Sequence, residues 1–252
     1  MTEIDKKIMK ILLFLNSDIH SATALNLLSD VLKNHQTKII LSKQVGKTES
    51  LPAQLLVMKK VEQTGVEEFY QDKKTISYAN VNSQEAIFDF QEFAPDLILS
   101  IRFGQIFKSD LINIPRFGVL NLHSGKLPDY RGVMASFWGI LNGEKKLGAT
   151  LHYILDDTID TGDVVGFAES KINWDQSLVL NINQIYHNSY ALIVEALKKI
   201  EAGEKLEKLK QVGVGNYFTY PKENDVTEFL KKMELASDGD NLEIIRGLKF
   251  DV

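Results

Sequence analysis

An α/β fold with a largely parallel sheet flanked by helices, plus a small C-terminal extension, is predicted on three observations. The chain opens strand–helix–strand. Short apolar runs of strand length then recur, with helical stretches between them. After Gly203 the composition changes to charged, turn-rich sequence. Strands that alternate with helices read as parallel crossover units.

Residues 8–15 (IMKILLFL) form a short apolar run that ends at Asn16, Ser17 and Asp18, the pattern of a buried strand leading into a polar turn. The stretch SATALNLLSDVLKN reads as the following helix, with Ser21 as its N-cap, and residues 37–41 as the second strand. The turn between them, NSDIHSA, contains no glycine. A dinucleotide cradle needs glycines to let the backbone approach the pyrophosphate, so NAD and FAD binding are rejected here. Residues 83–93 read as a helix, and 96–100 and 118–122 as strands. A helix over 134–142 is closed by Gly143. Residues 149–154 and 164–168 are two more strands, and a long helix runs from about 177 to 201. The main domain thus covers 1–203. The extension, 204–252, is expected to hold a helix over 226–233 and a terminal hairpin over 235–252. It is too short to hold a core alone, so it packs on the main domain or on a second subunit, and a homodimer through it is expected.

With 252 residues and 44% hydrophobic content, the chain can bury a substantial core. Its 29 Lys and Arg are scattered among 34 Asp and Glu, for a net charge of -5, so no nucleic-acid partner is expected. The absence of cysteine excludes disulfides, thiolate catalysis and iron–sulfur clusters. The N-terminal apolar run lacks a small-residue cleavage site and is too short to span a bilayer, and no longer run follows. A cytoplasmic protein without a membrane partner is expected. Five histidines show neither H-x-x-x-H nor H-E-x-x-H spacing, so no metal is expected.

The segment LNLHSGKLPDYRG (120–132) carries the first chemistry. A buried strand runs into Asn121 and His123, which alternate onto one face, and the loop beyond holds Gly125, Pro128 and Gly132. Lys126, Tyr130 and Arg131 are donors suited to an anion. By itself His123 also reads as a core histidine bonded to a carbonyl. The segment ILDDTIDTGDVV (154–165) then places a carboxylate cluster after another strand. A carboxylate that reaches an imidazole fixes its tautomer and supports its protonated form. An asparagine amide polarises a carbonyl oxygen that gains negative charge. With no cysteine, and Ser124 outside any G-x-S-x-G elbow, Asn, His and Asp together read as a non-covalent acyl-transfer centre whose substrate supplies the attacking atom.

Asn121-x-His123 with the following SGKLPDYRG, then Asp160-Thr161-Gly162-Asp163, closely resembles the 10-formyltetrahydrofolate-dependent formyltransferases, most strongly over residues 96–168. The resemblance implies a Rossmann-like formyltransferase domain and 10-formyltetrahydrofolate as formyl donor. It implies His123 as general base toward an amine, Asn121 as stabiliser of the oxyanion, and Asp160 as the group that orients His123 and helps relay protons. It also implies a pterin pocket lined, largely through backbone, by residues 99–107, including Ser100, Arg102, Phe103, Gly104 and Ile106, and by Ile154, Asp156 and Asp157. Core packing is the alternative for Phe103, Ile106 and Phe107, and a solvated turn for the two aspartates.

The variant HSGKLPDYRGVMASFWGILNGE, with YFTYP near the C-terminus, looks most like the sugar N-formyltransferases. These act on nucleotide-linked amino sugars, typically dTDP-4-amino-4,6-dideoxyglucose or its 3-amino isomer, which implies a role in O-antigen or surface-polysaccharide synthesis. Lys126, Tyr130 and Arg131 then suit a diphosphate. Tyr217, Phe218 and Tyr220 either stack on the nucleobase or sugar or form a clasp holding the tail, while Phe137 and Trp138 read as core. The rivals are formylation of another small amine, of methionyl-tRNA or of glycinamide ribonucleotide, and a non-catalytic folate- or nucleotide-binding module. Family members that formylate methionyl-tRNA look longer and more basic, and a pure binder has no need of all three catalytic groups. Of the other histidines, His20 reads as solvent-exposed, His35 and His187 as helical or helix-end residues, and His152 as one more residue alternating along a strand.

Overall fold

The computed structural model describes residues 8–42, 51–71 and 73–248. In chain order the elements are β1 (Lys10–Asn16), α1 (Ile19–Leu32), β2 (Gln36–Ser42), α2 (Ala53–Gln63), α3 (Glu67–Gln71), β3 (Thr75–Ile76), α4 (Gln84–Phe93), β4 (Leu97–Ile101) and α5 (Ser109–Ile112). There follow β5 (Val119–His123), β6 (Arg131–Gly132), α6 (Ala135–Leu141), β7 (Lys146–Ile154), β8 (Val164–Lys171), α7 (Leu178–Glu201), β9 (Tyr217–Phe218), α8 (Glu223–Leu230) and α9 (Asp240–Arg246). The main sheet has seven strands in the order β3-β2-β1-β4-β5-β7-β8. It is parallel from β3 through β5, and β7 and β8 are antiparallel. The mostly parallel α/β architecture expected from the alternating runs is present.

Strand β1 shows why such runs are apolar throughout. Ile11, Leu13 and Leu15 join one core cluster, whereas Leu12 and Phe14 join another on the opposite face of the sheet. A central parallel strand is covered on both faces, so both alternating sets must be hydrophobic. Strand β5 departs from this rule. Leu120 and Leu122 enter the first cluster and Val119 the second, but Asn121 and His123 follow Val119 on its face. Polar side chains therefore appear where the strand reaches its C-terminal end.

Helix α1 starts earlier than Ser21. Asp18 is the N-cap, and its Oδ1 accepts from the Ser21 backbone N at 2.8 Å. The segment 51–76, which the sequence left unassigned, contributes α2, α3 and β3. The extension also differs from expectation. Asp225 reaches back to the Lys222 N at 2.8 Å, which sets the start of α8 at Glu223 rather than 226. In place of a hairpin, Asp240–Arg246 is helical, with Asp240 and Ile244, four apart, on its buried side. The remainder of that expected hairpin, 249–252, lies outside the described residues. Phe229 of α8 is fully buried and stacks on Phe137 of α6 with ring centroids 4.3 Å apart. Among the described residues no helix is long and apolar enough to cross a membrane.

Candidate functional site

A cavity of about 760 Å³ opens at the C-terminal ends of β4 and β5, within the range usual for small-molecule sites. Asn121 and His123 from β5, His152 from β7 and Asp160 from the loop after it all line this cavity. The antiparallel register places His152 directly opposite Asn121, so period-two alternation delivers both to one face.

Asp160 is the hub. Its Oδ2 accepts from the Gly132 N at 2.8 Å and lies 3.6 Å from His123 Nδ1, while Oδ1 lies 3.5 Å from His152 Nε2. Burial alone would raise its pKa. Positive charge on His123 and on His152 when their rings are protonated, with a hydrogen bond from His152 and the Gly132 N–H, outweighs burial and holds it down to about 2. Its backbone is left-handed, with φ +56°, unusual for a residue with a side chain. Gly132 has φ +93°, and a Cβ there would lie 2.1 Å from the Phe218 carbonyl oxygen. Glycine at 132 is thus what lets the β6–β9 pairing run beside the carboxylate.

The histidines have distinct tasks. His123 Nε2 lies 2.6 Å from the Tyr130 carbonyl oxygen, which can only accept, so that nitrogen carries the proton and Nδ1 faces Asp160. His152 Nδ1 donates to the Tyr153 carbonyl at 2.9 Å, and Nε2 lies 3.1 Å from Asn121 Nδ2 and 3.5 Å from Asp160 Oδ1, so the neutral ring accepts from Asn121 whereas the protonated ring donates to Asp160. The neutral ring thus orients the Asn121 amide, whose second N–H is left for the cavity.

The residues that the resemblance assigns to a pterin pocket are brought together at one cavity. Ser100, Arg102, Phe103, Gly104, Ile106, Ile154, Asp156 and Asp157 all line the cavity. Phe103 and Phe107 also pack edge-on against Phe14 at 5.0 and 4.9 Å, so the core role applies to both, whereas Ile106 is exposed at the cavity wall. Asp156 accepts from the Thr158 N at 2.9 Å, and bonds from the Thr158 hydroxyl and N lower its pKa.

Arg102 is not available as a simple donor. Its Nε donates to Asp18 Oδ2 at 2.8 Å and its Nη2 to Glu62 Oε1 at 3.3 Å. Glu62 also faces Lys59 Nζ and His20 Nε2, each at 3.3 Å. Against the burial that would raise it, Lys59 and Arg102, then His20, hold Glu62 well below the usual carboxylate range. His20, expected in solvent, is fully buried, because α1 packs along α7 and covers it; Asn183 on α7 lies 3.4 Å from its Nδ1.

The expected anion-binding donors do not enter this cavity. Lys126 and Tyr130 line a separate cavity of about 490 Å³ on the other side of the 124–130 loop, and Tyr130 OH donates to Glu144 at 2.8 Å. Burial and that bond push its pKa up to about 12. Arg131 donates to the Val214 carbonyl at 2.9 Å and to Gln211 Oε1 at 3.1 Å. The cause lies in the turn. Tyr130 N bonds back to the Lys126 carbonyl, and Gly125 tucks under His123, which sends these side chains away.

Of the three C-terminal aromatics, Phe218 is the clasp. It stacks between Tyr130, at 5.5 Å, and Trp138, at 5.1 Å. Tyr217 and Tyr220 line the cavity with His123. His152, Lys59 and Glu62 also line the cavity, and Gln211 bonds the backbone of the Asp160 loop behind it; none of the four follows from the sequence reading. A histidine alternating along a strand was the available signal for His152, and only the β5–β7 register sets it opposite Asn121; the others sit on elements that local sequence does not bring here.

Comparison with known proteins identifies the family and the fold. The family described as formyl transferase matches residues 9–197. The methionyl-tRNA formyltransferase of Halothermothrix orenii is 32% identical over 130 residues, 52% of this chain and 41% of that protein. The match therefore spans less than half the length of that relative. An N-formyltransferase from Helicobacter canadensis, solved with folinic acid and dTDP-3-aminofucose, superposes with TM-score 0.57 at 21% identity, covering 87% of this chain and 72% of that one. A formyltransferase from Anoxybacillus kamchatkensis, solved with UDP-4,6-dideoxy-4-formamido-L-AltNAc and tetrahydrofolate, gives TM-score 0.55 at 20% identity, covering 95% and 97%. With three-quarters of its length matched by that one family, the chain belongs to the formyl transferases.

Proposed function

We propose that the protein is a sugar N-formyltransferase. It moves the formyl group of 10-formyltetrahydrofolate to the amino group of a nucleotide-linked amino sugar, with dTDP-4-amino-4,6-dideoxyglucose the first acceptor to try, in the synthesis of O-antigen or another surface polysaccharide. The observation that carries this reading is Asp160, held between two histidines beside Asn121 in one cavity. Two solved neighbours hold a folate derivative with a nucleotide sugar, which favours that acceptor class. A net charge of -5 favours it over a tRNA.

The cavity residues fit a folate. Phe103, Ile106 and Ile154 offer an apolar wall for a flat ring, beside the backbone of 102–107 and 154–158. Bound there, the cosubstrate supplies a formyl carbon as electrophile. His123 takes the proton that the acceptor amine sheds as its nitrogen bonds to that carbon. Asp160 faces the nitrogen of His123 that receives it, and Asn121 donates to the formyl oxygen as negative charge grows. The folate nitrogen leaves with a proton, so an amine and a formamide exchange places. The cavity's cations, Lys59 and Arg102, are already paired with Glu62 and Asp18, so this space suits the amino-sugar end of an acceptor rather than its diphosphate.

The test is a formyl-transfer assay with 10-formyltetrahydrofolate and a panel of nucleotide-linked amino sugars, following release of tetrahydrofolate. Turnover with a 4-amino or 3-amino sugar supports the reading and names the acceptor. Folate binding without sugar turnover moves the acceptor to another small amine. A His123→Asn variant keeps ligand affinity and loses turnover; full activity would remove the general base. A homodimer through residues 204–252 belongs to the same proposal, and light scattering of the full chain tests it.

A further inference from the structure

Asp160 reaches its two histidines only if its backbone stays left-handed, a conformation that costs on the order of 1 kcal/mol and must be held by its surroundings. The segment after Gly203 runs along this loop residue by residue. Leu209 exchanges two backbone bonds of 2.8 Å with Val164, and Lys210 Nζ lies 2.8 Å from Asp163 Oδ1. Gln211 Nε2 donates to the carbonyls of both Asp160 and Gly162, each at 2.8 Å. Its orientation is fixed from the other side. Arg131 Nη2, which can only donate, bonds Gln211 Oε1 at 3.1 Å, so Nε2 must face the two carbonyls. Arg131 also holds the Val214 carbonyl at 2.9 Å. The next residue, Gly132, binds the Asp160 carboxylate. Residues 131 and 132 thus grip Asp160 at both ends, by its carbonyl through Gln211 and by its side chain directly.

We infer that Gln211 is a positioning residue, which holds the left-handed turn at Asp160 and so sets its carboxylate between His123 and His152. The inference rests on the proposed formyl transfer for its kinetic reading only. Both N–H groups and the oxygen of the Gln211 amide are used within the protein, and its side chain does not line the cavity. Arg131, a diphosphate donor by sequence, takes the role of orienting that amide.

The test uses the full chain and three variants. Gln211→Ala removes the amide. Gln211→Glu keeps its shape and strengthens the pairing with Arg131, but presents an acceptor to two carbonyls. Lys210→Ala, one residue away on the same strap with an exposed amine, is the control. Both Gln211 variants are expected to lower kcat roughly 10²-fold, with KM for folate and acceptor within about twofold. Lys210→Ala is expected to match the parent. Independently of turnover, ¹⁵N NMR of the imidazoles is expected to show His123 and His152 titrating at shifted pH in the Gln211 variants and at parental pH in Lys210→Ala. Unshifted titrations in folded Gln211→Glu overturn the positioning role, as do an unchanged kcat or equal losses in all three variants. If the parent turns over no acceptor, the proposed function fails, while the titrations still decide the role of Gln211.

Discussion

His152 meets Asp160 at 3.5 Å on the carboxylate oxygen that His123 does not face. One buried anion therefore faces two imidazoles, and the second of these, when neutral, orients Asn121 instead. His152→Ala removes a partner from both groups. It is expected to lower kcat on the order of 10²-fold with little change in KM, read in the formyl-transfer assay. An unchanged kcat would show that Asn121 and Asp160 hold their places without it.

Asp160 makes stability depend on pH in a defined window. Its pKa is about 2 when folded, against about 3.9 for an unperturbed aspartate. The stabilisation is complete above the unfolded value and disappears as pH falls from about 4 toward 2. With the side chain 10% exposed, the contribution is up to about 2 kcal/mol. Urea unfolding of the parent and of Asp160→Asn between pH 2 and 7 is expected to show a difference at neutral pH that closes at the acid end. A constant difference across that range would contradict the assignment.

A methyl group at position 125 has nowhere to go. A Cβ there would lie 2.5 Å from His123 Nε2 and 2.7 Å from the Tyr130 carbonyl oxygen. Gly125→Ala is expected to push the imidazole off that carbonyl and cut kcat by at least about tenfold while folate affinity persists. Fluorescence titration with folinic acid separates the two effects.

Arg102 neutralises two buried carboxylates, those of Asp18 and Glu62. Arg102→Met fills similar space and strands both charges. Breaking a buried pair in this way costs about 3–5 kcal/mol. A loss under 1 kcal/mol in urea unfolding would mean that Lys59 and His20 suffice to compensate them.

Residues whose positions follow from alternation along one strand were legible in the sequence. Asn121 and His123 share a face because a strand repeats every two residues, and apolar neighbours on both sides made the exception visible. Asp160 stood out as one of a carboxylate cluster after a strand. His152 did not, since its meaning depends on the register between β5 and β7, a pairing that local sequence does not encode. The placement of Lys126, Tyr130 and Arg131 outside the cavity was hidden for another reason. Their chemistry suited an anion, but the curvature of the loop decides which way each side chain leaves it. His20 looked solvent-facing because the turn around it is polar. Packing of α7 over α1, from a segment more than 150 residues away, is what buries it.

Asp18 sits where doubly wound proteins commonly seat a ligand's phosphate, at the start of the first helix. Its carboxylate already accepts from the Ser21 N and from Arg102 and is fully buried. The polypeptide has installed its own resident anion there. A nucleotide could take that seat only by evicting Asp18 and abandoning the guanidinium that neutralises it, so adding glycines to this turn would not create a cofactor site. The first crossover has become a keystone, and ligand recognition is left to the far half of the sheet.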